Sequence, residues 1–274
     1  MIVFPNAKIN LGLQIIKKRS DGYHEINTCF YPIGLTDVLE ILPHKEETTF
    51  TQTGIDIPAD NQPNICMKAY KLLQKYFKLP PLQIHLHKNI PVGAGLGGGS
   101  ADAAYMLKAL NEMFFLELSA EDLWHFAKEL GSDCAFFLQN TPAIGKGRGE
   151  ELTPFQVSIA HYALLIIYPN LHISTAEAYQ KVVPNTPKMP LEQALQMPLK
   201  AWENHLINDF EKPLFEKYPL LQSIKEQLYQ AGALYAAMSG SGSTLFGIFE
   251  PQKLLNLEWQ IPQDYFVWQS QINI

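Results

Sequence analysis

The sequence predicts a protein of mixed helices and strands, α/β or α+β, organised in two domains. Segments with the two-residue period of strands and segments with the helical period both occur along the chain. The length of 274 residues is near the ~250–300 at which single cores stop growing. A composition of 47% hydrophobic and 18% charged residues excludes disordered and fibrous classes.

The charge balance restricts the classes of ligand. The chain carries 21 Lys and Arg against 27 Asp and Glu, a net charge of −6. An acidic protein attracts neither nucleic acid nor an anionic membrane at long range, so we expect neither as a partner. Any anionic ligand must therefore be held by local cations, backbone N–H groups or a metal.

Cysteine usage and the N-terminus bear on the compartment. Cys29, Cys66 and Cys134 are odd in number and far apart, which argues against a disulfide framework and fits a reducing cytosol. No basic segment followed by an apolar core opens the chain, and the apolar run from Tyr162 to Tyr168 is short for a membrane span. We expect a cytoplasmic protein, monomeric or a weak homodimer.

The N-terminal region predicts a β-hairpin. Apolar residues alternate with polar or small ones from Lys8 to Ile16, the pattern of a half-buried strand. Lys8 and Asn10 therefore share the face opposite the apolar one. The pair Asp21-Gly22 is a strong hairpin signal, and a second strand is expected from Tyr23.

Further elements follow from apolar spacing, caps and turn residues. In the first half we predict a strand over 37–42, a helix after Pro63, a strand over 82–86, a helix over 100–111 and a helix from a Ser119/Asp122 capping box to Gly131. In the second half we predict a strand over 163–168, a short helix behind a Ser174/Glu177 capping box, a loop or broken helix over 183–198, helices over 200–211 and 218–230, and strands over 234–238 and 243–249.

A glycine cluster between a predicted strand and a predicted helix is the main chemical signal. Five of the seven residues 93–99 are glycine. Glycine allows positive φ and close backbone approach, and a helix start offers unpaired N–H groups, so phosphate binding is favoured over a plain flexible turn. A Walker motif fails because Gly99 stands in the lysine position.

A dinucleotide site is the competing interpretation of the same cluster. Gly93, Gly95 and Gly98 match GxGxxG, which keeps a nicotinamide-dependent oxidoreductase as a remote alternative. The segment from Lys88 to Val92 separates the strand from the first glycine, whereas the dinucleotide-binding turn follows its strand directly. This separation weakens the interpretation.

Three other patterns are ambiguous by themselves. Asp133 lies in the turn Gly131-Ser132-Asp133-Cys134, where a turn or cap role is the ordinary one. The segment 238–243 is either a β-turn or a second wall of small residues facing a bulky ligand. His85 and His87 share a strand face, but without a third ligand they indicate polar alternation rather than a metal site.

Together these segments resemble the GHMP kinases, the family of galactokinase, homoserine kinase, mevalonate kinase and phosphomevalonate kinase. The family's phosphate loop, PxxxGLGxSxA, fits Pro91–Ala101 with glycine in one usual serine place. The combination of AKINL, DGYHE and GAGLGGGSADAA resembles the branch that acts on 4-diphosphocytidyl-2-C-methyl-D-erythritol. Matching segments recur in family order at 5–15, 19–28, 91–104, 131–138, 145–152 and 238–243.

The resemblance implies an α+β fold and a reaction. The expected domains are an N-terminal one of the ribosomal-protein-S5-domain-2 type over 1–155, with the phosphate loop and catalytic residues, and a ferredoxin-like one over 156–274 that completes the substrate cleft. The implied reaction moves the γ-phosphoryl group of ATP to the substrate's 2-hydroxyl, in non-mevalonate isoprenoid synthesis. A homoserine or mevalonate type of GHMP kinase is the nearest alternative, and an RNA-binding module is opposed by the net charge.

The resemblance also implies roles for individual residues. Asp133 is the general base and Lys8 lies beside it, although Cys134-Ala135 stand where the family commonly has Val-Pro. General phosphoryl chemistry, rather than any visible ligand cluster, predicts Mg²⁺ with ATP, and Asp102 would repel phosphates unless it is turned away or bridged by the metal. The implied ATP-binding residues are Pro91, Val92, Gly93, Ala94, Gly95, Leu96, Gly97, Gly98, Gly99, Ser100 and Ala101, with Asn64 and Lys88 near the adenine. The implied substrate-binding residues are Asn10, Tyr23, His24 and Tyr179.

Overall fold

The computed structural model describes residues 1–57, 63–251 and 261–272, and the chain divides into two compact units. The first unit consists of residues 1–7, 35–92 and 97–141. The second consists of residues 8–34, 93–96 and 142–274. Each unit draws on separate stretches of the chain, and the predicted domain boundary near residue 155 stays a prediction.

Strands and helices follow one another along the chain in a mixed order. Up to residue 141 the elements are β1 (Ile2–Val3), β2 (Asn6–Lys18), β3 (His24–Thr36), β4 (Val38–Pro43), β5 (Thr49–Gly54), α1 (Ile65–Gln74), β6 (Leu82–Lys88), α2 (Gly98–Met113), α3 (Ala120–Leu130) and α4 (Cys134–Gln139). The later elements are β7 (Ala143–Lys146), β8 (Glu151–Pro154), β9 (Ala163–Tyr168), α5 (Thr175–Tyr179), α6 (Leu191–Leu195), a 3₁₀ turn (Leu199–Ala201), α7 (Trp202–His205), α8 (Glu211–Lys217), α9 (Pro219–Gln230), β10 (Tyr235–Met238), β11 (Leu245–Phe249) and β12 (Phe266–Gln271).

The first unit packs helices against one sheet. Over the described residues the strands of this sheet are ordered β1-β4-β6-β5, with β5 and β6 parallel and the other pairs antiparallel. Ile84 and Leu86 of the sheet share a buried apolar cluster with Leu107 and Leu110 of the helix α2. The sheet and α2 therefore form the core of this unit.

Local signals in the first unit are confirmed. The Ser119 side chain accepts from the Asp122 N–H while the Asp122 side chain accepts from the Ser119 N–H, which is the predicted capping box of α3. The helix ends at Gly131, whose backbone is extended rather than left-handed. The strand over 82–86 and the helix over 100–111 are present as β6 and α2, and α2 begins two residues earlier than predicted.

The second unit contains two sheets. Over the described residues their strand orders are β2-β3-β7-β8 and β10-β11-β9-β12. The pairs of β7 with β3 and β8, and the three pairs of the second sheet, are antiparallel. Leu13 of the first sheet and Leu165 of the second lie in one buried cluster with Leu214 of α8 and Leu228 of α9. The two sheets and these helices thus share a core.

The predicted hairpin is present, but its first strand is not half-buried. Lys8 and Asn10, on the face expected to be open, are only 3% and 2% exposed. The Lys8 N–H donates to Leu96 O, and the Asn10 N–H donates to Ser239 Oγ. Two distant loops of the same unit therefore cover the polar face of β2, which its alternation alone could not indicate.

The predicted continuous helix over 200–211 is wrong. The chain forms the 3₁₀ turn and α7, is extended at the bridge of Asn208 with Leu13, turns over 209–210, and only then begins α8. The extended stretch bonds to β2, with Leu13 N donating to Ile207 O and Asp209 N donating to Leu13 O. Backbone pairing with β2 thus replaces the helical bonds that apolar spacing had suggested.

The capping box predicted before α5 forms only in part. The Ser174 side chain accepts from the Glu177 N–H, as predicted. The Glu177 carboxylate accepts instead from Lys217 Nζ at 2.7 Å and from the Tyr218 hydroxyl at 2.5 Å. These contacts tie α5 to the end of α8, and the two hydrogen bonds lower the pKa of Glu177.

Two further expectations concern the whole chain. All three cysteines are buried and unpaired. In the part of the chain that the structure describes, no helix has the length and apolar character needed to cross a bilayer.

Candidate active site

The glycine cluster forms a loop that leads into the N-terminus of α2. Gly93, Gly95 and Gly97 have φ of +65°, +81° and +75°, a region that side chains other than glycine rarely adopt. Gly97 is the N-cap of α2 and contributes no capping side chain. The first amides of this 16-residue helix are therefore available to an anion at the positive end of the helix dipole.

The second Gly/Ser turn supports this loop within the second unit. A Cβ on Gly95 would lie 2.1 Å from Ser239 O, so a larger side chain fits only if the backbone shifts. Ser239 Oγ donates to Gly95 O at 2.9 Å, and the Thr244 N–H donates to Ala94 O at 3.3 Å. The turn over 238–243 thus packs against the loop backbone.

Lys8 and Asn10 lie at the same loop. Lys8 Nζ donates to Asn10 Oδ1 at 2.6 Å and to Gly95 O at 3.3 Å. The ammonium also lies 5.1 Å from the ring centroid of Phe30. The Asn10 amide donates to Thr28 Oγ1 at 2.9 Å, which fixes its oxygen toward the lysine. The structure therefore brings Lys8, Asn10 and the loop together.

Asp133 lies in the first unit at the start of α4. It is half-buried and directly precedes the first helical residue, Cys134. The Cys134 thiol is hydrogen-bonded to the Ser100 side chain near the start of α2, and burial raises its pKa to about 12. Asp133 and the beginning of α2 are thus neighbours. The pairing of Asp133 with Lys8 stays a prediction.

Lys88 lies in a buried ion cluster, which we define as Asp37, Lys88 and Asp102. Its Nζ donates to Asp102 Oδ2 at 2.9 Å and also to Asp37 Oδ2. Asp37 Oδ1 accepts from the N–H groups of Asn89 at 2.7 Å and Ile90 at 2.8 Å. The cluster therefore joins the start of β4 to the end of β6 and to α2.

Asp102 is turned into the interior, which answers the question left open by the sequence. It is 1% exposed, and within the described residues its Oδ1 has no hydrogen-bond partner. Burial, opposed by the Lys88 charge, raises the pKa of Asp102 to about 7. For Lys88, burial lowers the pKa, but the two carboxylates outweigh it and the net direction is upward. A Cβ on Gly98 would lie 3.0 Å from Lys88 Nζ, so the ion cluster lies directly under the first turn of α2.

The two residues predicted to lie near the adenine have structural contacts of their own. Asn64 is the N-cap of α1, and its Oδ1 accepts from the Cys66 N–H at 2.8 Å. Lys88 holds the ion cluster together. The contact of either residue with a nucleotide stays a prediction.

The residues predicted to hold the base of the substrate are grouped in the second unit. The rings of His24 and Tyr179 are stacked, with centroids 4.6 Å apart and 13° between planes. Tyr23 is 56% exposed, and the Arg148 guanidinium lies 4.8 Å from its ring centroid. Burial lowers the pKa of His24, with Lys18 adding to the effect, which favours a neutral ring with one donor and one acceptor.

Sequence reasoning missed Asn208 and Arg148. The buried Asn208 amide donates to Met238 O at 2.8 Å and Gly240 O at 2.9 Å, so it holds the turn that supports the loop. The Asn208-Asp209 pair, unfavourable inside a helix, was the available signal. Arg148 lies in a segment that already matched the family, but its place over Tyr23 has no local sequence pattern.

The two histidines on one face of β6 contact a threonine of the neighbouring strand β5. His85 and His87 both contact Thr53 Oγ1, at 3.0 and 2.8 Å. Among the described residues, no group of three or more His, Cys, Asp or Glu side chains is placed to hold a metal ion.

Comparison with known proteins now identifies the family. Residues 64–141 match the GHMP kinases N terminal domain, and residues 193–260 match the GHMP kinases C terminal domain. A 4-diphosphocytidyl-2-C-methyl-D-erythritol kinase of Cytophaga hutchinsonii is 52% identical over 250 residues, covering 91% of this chain and 92% of that protein. The protein of the same name from Parabacteroides distasonis is 46% identical over 273 residues, covering 100% of both.

Solved structures agree with the sequence matches and confirm the α+β GHMP kinase fold. A crystal structure of 4-(cytidine 5'-diphospho)-2C-methyl-D-erythritol kinase superposes with a TM-score of 0.78 at 34% identity, covering 90% of each chain. The mevalonate kinase of Methanococcus jannaschii has the same fold, with a TM-score of 0.73 at 16% identity over 99% of this chain and 98% of that one. The chain therefore belongs to the GHMP kinase family, within the group of 4-diphosphocytidyl-2-C-methyl-D-erythritol kinases.

Proposed function

We propose that the protein transfers the γ-phosphoryl group of ATP to the 2-hydroxyl of 4-diphosphocytidyl-2-C-methyl-D-erythritol. The observation that carries the proposal is Lys8, a buried lysine whose ammonium donates to the backbone of the glycine loop. A cation at that point can stabilise the charge of a phosphoryl group in transfer. The net charge of −6 disfavours nucleic-acid and anionic-membrane partners, which fits an enzyme of small substrates.

The loop and the start of α2 hold the phosphates in this proposal. Glycine at positions 93, 95 and 97 permits the positive φ values that shape the loop, and the open amides at the start of α2 are available to the charge of the ligand. The nucleotide substrate would be ATP with Mg²⁺, and the charge of the metal would offset that of the phosphates.

Asp133 and Lys8 carry the chemistry. Asp133 accepts the proton of the 2-hydroxyl while the hydroxyl oxygen bonds to the γ-phosphorus. The bond between that phosphorus and the β–γ bridging oxygen breaks, which releases ADP. Lys8 stabilises the hydroxyl oxygen as it loses its proton and the phosphoryl oxygens in transfer. Asn10 contributes by aiming its amide oxygen at the ammonium.

In this proposal, Tyr23, His24 and Tyr179 recognise the cytidine of the substrate. The His24 ring, held flat against Tyr179, offers a donor and an acceptor to the edge of the base, and Tyr23 offers an exposed face for stacking. Tyr23→Ala should then raise the KM for the cytidylyl substrate much more than the KM for ATP. Equal increases in both would contradict this role for Tyr23.

The decisive experiment is a coupled assay of ADP release with a panel of alcohols. Turnover is expected with 4-diphosphocytidyl-2-C-methyl-D-erythritol and none above background with homoserine or mevalonate. Phosphorus NMR of the product should show a new phosphomonoester. Faster turnover with either of the other alcohols would overturn the proposed substrate while keeping the kinase assignment.

A further inference from the structure

Three segments of the second unit meet beside the start of the glycine loop. We call this meeting point the junction and define it as residues 93–95, 171–175 and 239–244. The contacts that hold it are Ser243 Oγ donating to Leu171 O, Thr175 Oγ1 lying 3.4 Å from Ser241 Oγ, Ser239 Oγ donating to Gly95 O at 2.9 Å and Thr244 N–H donating to Ala94 O at 3.3 Å. The segment before α5 is therefore fastened, through the turn, to the loop.

His172 projects from this segment onto the loop. A Cβ on Gly93 would lie 2.6 Å from Cε1 and 2.8 Å from Nδ1 of the ring, so the imidazole packs directly on the glycine backbone. The residue is exposed, and within the described residues its ring takes part in no hydrogen bond. A ring N–H is thus available beside the first glycine of the loop.

Two charged groups bear on His172 or on the loop that it contacts. Glu177 of α5 interacts electrostatically with it, but the Glu177 carboxylate is already bonded to Lys217 and Tyr218. Lys8 of β2 reaches the loop at Gly95. The other junction residues, glycine, alanine, serine, threonine, leucine and isoleucine, carry no charge. His172 is therefore the titratable group of the junction itself.

We propose that His172 binds a phosphate group of a substrate at the start of the glycine loop. This inference rests on the proposed function. A neutral imidazole can donate one hydrogen bond to a phosphate oxygen, and a protonated one donates from either nitrogen and adds a positive charge. The phosphate belongs either to the triphosphate of ATP or to the diphosphate of the cytidylyl substrate. The second source is close in sequence, since the segment continues into α5 and its Tyr179.

The test compares His172→Ala, His172→Gln and His172→Lys with the native enzyme. His172→Ala should raise the KM of one substrate about tenfold, the cost of a charge-assisted hydrogen bond, while kcat changes less than about threefold. A rise in the KM for ATP assigns the triphosphate, and a rise in the KM for the alcohol assigns the diphosphate. His172→Lys should restore most of the loss and His172→Gln less. His125→Ala, which removes an exposed histidine of α3 in the other unit, is the matched control.

A pH series separates phosphate binding from a structural role. Histidine side chains gain their proton between about pH 8 and 5. The ratio of the KM of His172→Ala to that of the native enzyme should therefore grow as pH falls from about 8 to about 6, since titration of the phosphates is common to both. Ratios near one at every pH, or a loss that His172→Lys does not restore, would overturn the inference.

The same variants keep this inference separate from the proposed function. If the native enzyme turns over the cytidylyl substrate and the ratios stay near one, only the role of His172 fails. If the native enzyme shows no turnover, the proposed function fails, and calorimetric titration with magnesium ADP and with CDP decides the role of His172. A weaker affinity of His172→Ala for one of the two nucleotides then supports phosphate binding, and equal affinities refute it.

Discussion

Two lysines of this protein are almost equally buried but differ in what their contacts do. Lys88, 2% exposed, lies between the carboxylates of Asp37 and Asp102 in the first unit. Lys8, 3% exposed, donates within the second unit to the Asn10 amide oxygen and to the Gly95 carbonyl of the glycine loop. The contacts of Lys88 hold elements of the first unit together, whereas these contacts of Lys8 direct its ammonium to the glycine loop.

The contrast separates a lysine that maintains structure from one suited to chemistry. The ion cluster ties β6, the start of β4 and α2 together, so its main effect is on folding. The contacts of Lys8 with Asn10 and Gly95 fix the direction of a cation at the loop that we propose binds phosphate. The burial of a lysine therefore indicates a function only when the groups that its ammonium contacts, and their position in the fold, are known.

The largest expected effect is on turnover. Lys8→Met and Asp133→Asn should each lower kcat by about 10²–10⁴-fold, because each removes a group proposed to act in the transition state. Thermal unfolding should change little in Asp133→Asn, which keeps the shape of the side chain. Coupled ADP release and a melting curve on the same preparations make the measurement. Near-normal turnover of Asp133→Asn would remove the assignment of the base.

Replacement of the other lysine should act on stability instead. Lys88→Met leaves two buried carboxylates without their cation, so the free energy of unfolding should fall by about 3–5 kcal/mol. Urea denaturation measures it. The double variant Lys88→Met/Asp102→Asn should recover part of the loss because only one buried carboxylate remains. A loss below about 1 kcal/mol in Lys88→Met would show that the ion cluster contributes little.

A glycine inside the loop and a glycine in the first turn of α2 can be compared in the same way. Gly95→Ala should cost about 1–3 kcal/mol of unfolding free energy, since its Cβ would meet Ser239 O at 2.1 Å and its φ is +81°. Gly99→Ala is the matched control: it lies in α2, and a Cβ there would have no neighbour within 4 Å among the described residues. The control should unfold like the native protein or gain up to about 1 kcal/mol from helix propensity. Equal losses in both would mean that packing on the turn is not what requires Gly95.

The smallest expected effect is the change in the free energy of unfolding over one pH unit. The pKa of Asp102 is about 7 in the folded chain, above its ordinary value, so the folded state holds a proton that the unfolded state has released between about pH 4 and 7. The stability of the native protein should fall as pH rises through this window, by at most about 1.4 kcal/mol per pH unit from this group.

Asp102→Asn removes that dependence and provides the measurement. Its unfolding free energy minus that of the native protein should increase from about pH 5 to about pH 7 and level off above it. Urea titrations across this range would detect the change. A constant difference across the series would mean that Asp102 keeps its charge throughout, paired with Lys88.

Elements governed by local rules could be predicted from the sequence. The Ser119 capping box, the Asp21-Gly22 hairpin and the glycine loop each depend on a few adjacent residues, and each is present. The helix over 200–211 failed because Ile207 and Asp209 pair with Leu13, a residue of the N-terminal strand. Apolar spacing contains no information about such a distant partner.

In the candidate site, too, the features that depend on local motifs could be predicted, and those that depend on distant residues could not. The family motifs contained Lys8, Asn10 and the loop, and the structure brings them together. The burial of Lys8 depends on covering segments near residues 96 and 239, which no pattern in β2 reveals. The ion cluster joins residues 14 and 51 positions apart, so Lys88 carried no sign of its two carboxylate partners.

The placement of the three cysteines has a practical consequence. Burial raises the pKa of each thiol, which keeps it protonated and shielded from alkylating reagents while the fold is closed. Cys29 lies in the second unit, and Cys66 and Cys134 lie in the first. The three natural cysteines can therefore report unfolding without an engineered probe. Pulsed alkylation followed by peptide mass spectrometry would measure when each thiol becomes reactive, and so whether the two units unfold together or one before the other.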